Sequence, residues 1–108
     1  MGQQQILKVI WTKTAQIQFL SILEYWTKRN KSASFATHLS KRVWKKIEAL
    51  KMQPFSSPKA NFTHTRQAVF GHYCLFYEIR PSTSVITAFW DNRQDPKTLL
   101  DILLKTTK

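Results

Sequence analysis

Few side chains of this sequence are equipped for chemistry, and most of those are cationic. Arg93 stands within Phe89-Trp90-Asp91-Asn92-Arg93-Gln94-Asp95-Pro96, the most unusual run in the chain. Its apolar half completes a strand, and its polar half falls at a strand-to-helix corner. A guanidinium there can take a phosphate or a carboxylate through its planar fork of donors. In the competing structural reading Asp91 pairs with Arg93 and Asp95 caps the next helix. Arg66 lies amid Thr63, His64, Thr65 and Gln67, polar side chains that mark a wet edge or groove of a sheet. His64 and His72 are the candidate acid–base groups, because imidazole is suited to moving a proton near neutral pH. His72 follows Gly71 and reads as a turn residue, and His38 as a surface residue.

A second group is a basic cluster on one segment: Lys41, Arg42, Lys45 and Lys46. At ~100° per residue, Lys41 and Lys45 point away from an apolar stripe and Arg42 and Lys46 flank it. Glu48 is the one acid interleaved there, so the patch is not a lattice of salt bridges. Trp26 and Trp44 are expected half exposed, and aromatic rings beside cations suit nucleic-acid and protein partners alike. The residues expected to meet a target or partner are Arg66, Arg93, Lys41, Lys45 and Trp90. No residue is singled out as catalytic beyond the candidates His64, Arg66 and Arg93.

Composition narrows the chemistry further. Seventeen Lys and Arg against six Asp and Glu leave a formal charge of +11, the footprint of a protein that meets polyanions or an acidic partner. Six acids are too few for carboxylate-rich metal catalysis, so neither a metal nor a cofactor is expected. The single cysteine, Cys74, excludes a disulfide framework and a cysteine-based zinc site, and reads as a small packed apolar residue. Only Gly2 and Gly71 occur, which excludes a glycine-rich phosphate loop. No run approaches the ~18 apolar residues of a membrane span. No signal peptide is evident, and Ile6 breaks the myristoylation pattern. The expectation is a cytoplasmic protein without membrane contact. At 108 residues, 43% of them hydrophobic, one folded domain over residues 1–108 is expected.

The elements that must position these residues follow from hydrophobic period. Residues 5–11 are apolar and β-branched and read as a strand. Ala15, Phe19, Ile22, Leu23 and Trp26 then recur at helical spacing, with Thr12 or Thr14 as cap. Lys28-Arg29-Asn30-Lys31-Ser32 ends that helix. A second helix starts near Ser32 or Ser34, carries Phe35, Leu39, Val43, Ile47 and Leu50 on one stripe, and stops at Pro54 and Pro58. A short connection makes the two an antiparallel hairpin. After the loop over residues 54–61, residues 62–70, 73–80 and 84–91 read as three strands, with turns at Gly71-His72 and Pro81-Ser82-Thr83. The middle strand is apolar on both faces, as a central strand would be. Asp95-Pro96 opens a short helix over residues 96–104. The fold class is α+β: a small antiparallel sheet packed on a helical hairpin, in the order β-α-α-β-β-β with a short C-terminal helix.

With these elements in place, the sequence resembles the RelE/ParE family of toxins from bacterial type II toxin–antitoxin, or plasmid stabilisation, modules. Three stretches carry the resemblance. Lys8-Val9-Ile10-Trp11-Thr12 with Ala15 is similar to the family's opening strand and helix start. Gly71-His72-Tyr73-Cys74-Leu75-Phe76-Tyr77-Glu78-Ile79 resembles its G-N-Y-R-I-F-Y-x-I strand. The run from Phe89 to Pro96 resembles its terminal corner, where Arg93 matches the basic residue. The resemblance implies a small sheet with a helical hairpin, a growth-arresting function, and a cognate antitoxin that forms a hetero-oligomer with the toxin. It leaves two activities open: inhibition of DNA gyrase by binding, as in the ParE branch, and ribosome-dependent mRNA cleavage, as in the RelE branch. The sequence departs from the nuclease branch at two places. Cys74 stands where that branch has arginine, and residues 96–104 hold no tyrosine. The ParE-like activity is therefore expected, with the endoribonuclease as the alternative.

Overall fold

The computed structural model describes residues 8–60 and 64–92. The elements are β1 (Lys8–Trp11), α1 (Lys13–Asn30), α2 (Ser34–Met52), β2 (Thr65–Phe70), β3 (Tyr73–Ile79) and β4 (Thr83–Asp91). The start of the first strand, residues 5–7, and the expected helix over 96–104 lie outside the described residues, as do Arg93 and Asp95. No helix among the described residues is long and apolar enough to cross a membrane.

The helices form where the sequence places its caps and stripes. Thr12 is the N-cap of α1; its hydroxyl accepts from the Ala15 N–H at 3.1 Å. That satisfies one of the four donors a helix start leaves free. Lys31 ends α1 in the left-handed region, at φ 52°, and its N–H returns to the Thr27 carbonyl. Helix α2 begins after Ala33, which makes no side-chain cap bond. Its buried stripe is Ala36, Leu39, Val43, Ile47 and Leu50. Phe35, expected on that stripe, is 37% exposed and packs against Trp26 at a ring-centroid distance of 5.1 Å. As the second residue of the helix, it packs at the turn end of the hairpin instead of reaching the core.

The four strands lie in the order β1-β4-β3-β2. The meander β2-β3-β4 is antiparallel as expected. Strand β1, however, pairs parallel with β4, from Lys8 opposite Thr83 to Trp11 opposite Ile86, so the sheet is mixed and not wholly antiparallel. The cause is topological. A two-helix connection between β1 and the meander is a long crossover of the kind that parallel neighbours need. Gly71, at φ +63°, makes the first position of the two-residue β2–β3 turn, where a side chain would be strained.

Both helices cover one face of the sheet. Leu39, Val43 and Ile47 meet Tyr73, Leu75, Tyr77, Ile86 and Phe89 there, with Trp11, Phe19, Ile22 and Leu23 packed at the border. The opposite face carries a smaller cluster of Cys74, Phe76, Ala88 and Trp90. Ile86 and Phe89 both reach the helix side although their spacing is odd. The register shift explains it: Phe76 opposes Ala88 and Tyr77 opposes Ile86, which leaves Thr87 as the extra residue of a β-bulge. A bulge flips the faces of everything beyond it. The Thr87 hydroxyl donates to the Phe76 carbonyl at 3.3 Å and fixes the kink.

Candidate functional site

The sequence candidates Arg66 and His64 come together beside the loop that leaves α2. Proline at 54 and 58 breaks helical and ladder hydrogen bonding in that loop, so its carbonyls need other donors. Side chains from the sheet supply them. The Tyr77 hydroxyl donates to the Pro54 carbonyl at 2.7 Å. Arg66 Nη1 donates to the Ser57 carbonyl at 2.6 Å and to that of Phe55 at 3.3 Å, and its guanidinium lies 5.0 Å from the Phe55 ring centroid. The backbone completes the attachment: Gln67 N–H donates to the Pro58 carbonyl and Ala60 N–H to the Thr65 carbonyl, each at 2.9 Å. Burial pushes the Tyr77 hydroxyl pKa up, while the Ser57 hydrogen bond and the Arg66 charge pull against it. Burial prevails, so the phenol stays neutral and a donor at neutral pH.

This attachment opens a cleft of about 370 Å³, lined by Phe55, Lys59, Ala60, His64, Arg66 and Ile79 together with Thr65. Its polar wall carries Lys59 and Arg66, and no acid lines it among the described residues. His64 sits just before β2 with φ +57°, a left-handed conformation uncommon for a residue other than glycine and associated with functional sites. Phe55 leaves 66% of its surface exposed at the rim. Lys59 and Phe55 were not expected from the sequence. The signal for them was weak, since their loop reads only as a Pro- and Ser-bearing connection.

Lys41 and Lys45 lie elsewhere, exposed on the outer side of α2 as expected. Trp44 stands with them at 56% exposure. Glu48, the acid of that helix, is taken by Lys51 at 2.8 Å. Arg42 turns back to the sheet, its guanidinium 5.7 Å from the Phe70 ring centroid and its Nη2 3.1 Å from where a Cβ on Gly71 would stand.

Trp90 is mostly buried, at 8% exposure, in the cluster on the helix-free face. It also lines a groove of about 630 Å³ between α1 and the end of β4, with Ile17, Gln18, Tyr25, Trp26 and Phe89. Cys74 shares the buried cluster with Trp90 at zero exposure. Burial pushes its thiol up to about 12, against a smaller lowering by the Gln67 side chain. At neutral pH it is a neutral, packed thiol.

These features define a small, strongly basic α+β protein with two cationic surfaces and an apolar groove. Residues 9–96 match the family model of the ParE toxin of type II toxin–antitoxin systems, and the chain belongs to that family. No curated protein matches the sequence significantly. Among solved structures the chain is similar to one from the chromosomal ParDE toxin–antitoxin system of P. aeruginosa, at 9% identity and a TM-score of 0.69, over 80% of this chain and 96% of that one. It is also similar to a chain of the toxin–antitoxin complex RelBE2 from Mycobacterium tuberculosis, at 18% identity and a TM-score of 0.64, over 87% of this chain and all of that one. At such identities the likeness is one of fold.

Proposed function

We propose that this toxin arrests growth by binding and inhibiting DNA gyrase, without a nuclease step, and that a cognate antitoxin neutralises it in the cytoplasm. The observation that carries the reading is Cys74. Cleavage of RNA through its 2′-hydroxyl needs a base, an acid and a fixed cation for the charge that develops on phosphorus. At the position where the nuclease branch places arginine, this chain has a thiol with zero exposure and a pKa pushed up to about 12. It supplies neither a cation nor a base. Arg66 cannot stand in for it on that face. Arg66 pairs across the sheet with Tyr77, on the helix side, whereas Cys74 belongs to the opposite cluster. The family match supports the toxin reading on which this rests.

One observation favours the alternative, a RelE-like endoribonuclease: His64, Arg66 and Lys59 share one cleft, so an acid–base group and two cations are neighbours. Induction of the toxin without its antitoxin, followed by a gyrase supercoiling assay and by primer extension on cellular mRNA, separates the two. The expected result is growth arrest with loss of supercoiling and uncut message. Discrete cuts in message with supercoiling unchanged would establish the nuclease. Arg93→Ala is expected to abolish toxicity while the protein keeps its unfolding curve, because the sequence sets Arg93 in the polar half of its run, apart from the apolar positions. Full toxicity of that variant would remove Arg93 from the site.

A further inference from the structure

Helix α1 has one buried residue, Ala15. Phe19 and Ile22 pack beside the core from the same side, and Gln18 Oε1 accepts the Phe89 N–H at 2.9 Å. The opposite side carries Lys13, Ile17, Leu20 and Glu24. At ~100° per residue these four fall within roughly 60° of arc, turned away from Ala15. Their steps of four, three and four are those of a helix–helix seam. Ile17 is 55% exposed and Leu20 61%, so a branched apolar pair stands in solvent at the middle of that seam. The charges at its two ends are of opposite sign. Glu24, one of six acids in the chain, makes a loose contact with Lys28 at 3.9 Å, and both side chains are more than two-thirds exposed. Lys13 is exposed and pairs with no acid among the described residues. It opens a helix whose first turn contains no acid, at the end where negative charge is stabilising.

We propose that this outer face of α1 is a self-association surface, on which a second copy of the chain lays its own α1 antiparallel about a two-fold axis. The inference goes beyond the toxin reading and does not depend on it. The axis crosses the helix at the level of the peptide between Gln18 and Phe19. Ile17 then packs on the partner's Leu20, and Leu20 on the partner's Ile17. The same operation sets Lys13 opposite the partner's Glu24, and Glu24 opposite the partner's Lys13. A two-fold contact must be self-complementary in this way, and here a single register satisfies the apolar and the charged pairs together. The partner's Glu24 also brings to the first turn of α1 the negative charge that its own sequence withholds. A parallel pairing would set lysine on lysine and glutamate on glutamate, which is repulsive. The seam carries one charge of each sign within a chain of +11. Unlike the lysine-bearing side of α2, it offers nothing to a polyanion, and it matches its own copy in both shape and charge. The contact is small, below the ~1,200 Å² of stable complexes, so the dimer is a weak one. At physiological salt the Debye length of ~8 Å screens the like net charges of the two chains.

The test is sedimentation equilibrium of the full chain, made by cell-free synthesis and studied at physiological salt without any partner. Chain concentration is carried to ~0.5 mM, above the Kd of ~0.1 mM expected for a contact of this size. The parent should sediment as a monomer–dimer equilibrium. Leu20→Asp should weaken the dimer at least tenfold. Lys13→Glu and Glu24→Lys should each weaken it at least threefold, because each sets like charges opposite one another. Lys13→Glu combined with Glu24→Lys restores both opposite-charge pairs and should return to within twofold of the parent. Within one chain the two positions are roughly 16 Å apart along the helix at ~1.5 Å per residue, so that recovery reports a contact between copies. Circular dichroism confirms that each variant is folded, and the charge variants decide the matter if Leu20→Asp is not. A parent that stays monomeric throughout the range overturns the proposal. So does a dimer that Leu20→Asp leaves intact, or a combined variant no stronger than the single ones. A monomeric parent whose Leu20→Asp variant loses affinity for an antitoxin would give the face to that partner, and would likewise overturn the self-association.

Discussion

Arg66→Ala separates a contact role from a structural one, because Arg66 is committed to the loop it holds. The substitution removes the 2.6 Å bond to Ser57, the 3.3 Å bond to Phe55 and the stack on the Phe55 ring. A hydrogen bond from a charged donor contributes about 1.5–3 kcal/mol, and the shorter bond belongs at that level. The longer one adds less, since its geometry is near the limit. The stack on a ring this exposed adds about 0.5–1 kcal/mol. Solvent at the rim reduces the total, so the expected loss is about 2–3 kcal/mol. For a domain of this size that lowers Tm by roughly 10 °C. Thermal and urea unfolding measure it. Arg66→Lys keeps the charge without the fork and should recover less than half of the loss. Growth arrest is then compared at a temperature where every variant is folded. Arrest that persists in Arg66→Lys and fails in Arg66→Ala assigns a role to the charge itself. Unfolding of Arg66→Ala within about 0.5 kcal/mol of the parent, the range of an ordinary surface change, would refute the clamp.

Gly71→Ala should cost about 1–2 kcal/mol in urea unfolding: φ is +63° and the new methyl would sit 3.1 Å from Arg42 Nη2. The arginine tip can yield, so Gly71→Ala combined with Arg42→Ala should still carry the backbone part of the loss. Cys74 should resist alkylation at pH 8 until the chain unfolds. Because the folded thiol is raised from 9.0 to about 12, the unfolded chain releases its proton first as pH rises. Stability should therefore fall with increasing pH between those values, and Cys74→Ala should flatten that part of the profile, read by urea midpoints across the range.

What the sequence disclosed depended on how local the physics was. Helix α2 was legible because Leu39, Val43, Ile47 and Leu50 repeat at helical spacing, and all four are buried. Strand β3 was legible because Tyr73 to Tyr77 are apolar without alternation, and β3 is indeed flanked by β4 and β2. The parallel pairing of β1 was not legible, since nothing in residues 8–11 states which edge they join. Nor was the bulge at Thr87, whose effect on the faces of Phe89 and Trp90 appears only once the register with β3 is known. The candidate site divides the same way. His64 and Arg66 were visible as polar residues among strand formers. Lys59 and Phe55 reach them through the fold of an irregular loop, for which no periodicity exists. Gln18 was silent for a further reason: its partner is a backbone N–H 71 positions away.

The two faces of the sheet bear directly on how one fold serves both branches of the toxin family. The helix face is closed by the hairpin, and Arg66 and Tyr77 use their polar groups there to hold a loop. The other face is where a strand residue such as position 74 would present a cation, and here it presents a packed thiol beside Phe76 and Trp90. An arginine placed at 74 would need room for a guanidinium where no exposed surface remains, and burying an unpaired charge costs several kcal/mol. An arginine at position 74 alone is therefore expected to destabilise this protein. The route between the two activities must pass through the packing of Phe76, Ala88 and Trp90 as well as through position 74. A Cys74→Arg protein that folds as stably as the parent would show that this cluster is looser than its burial indicates.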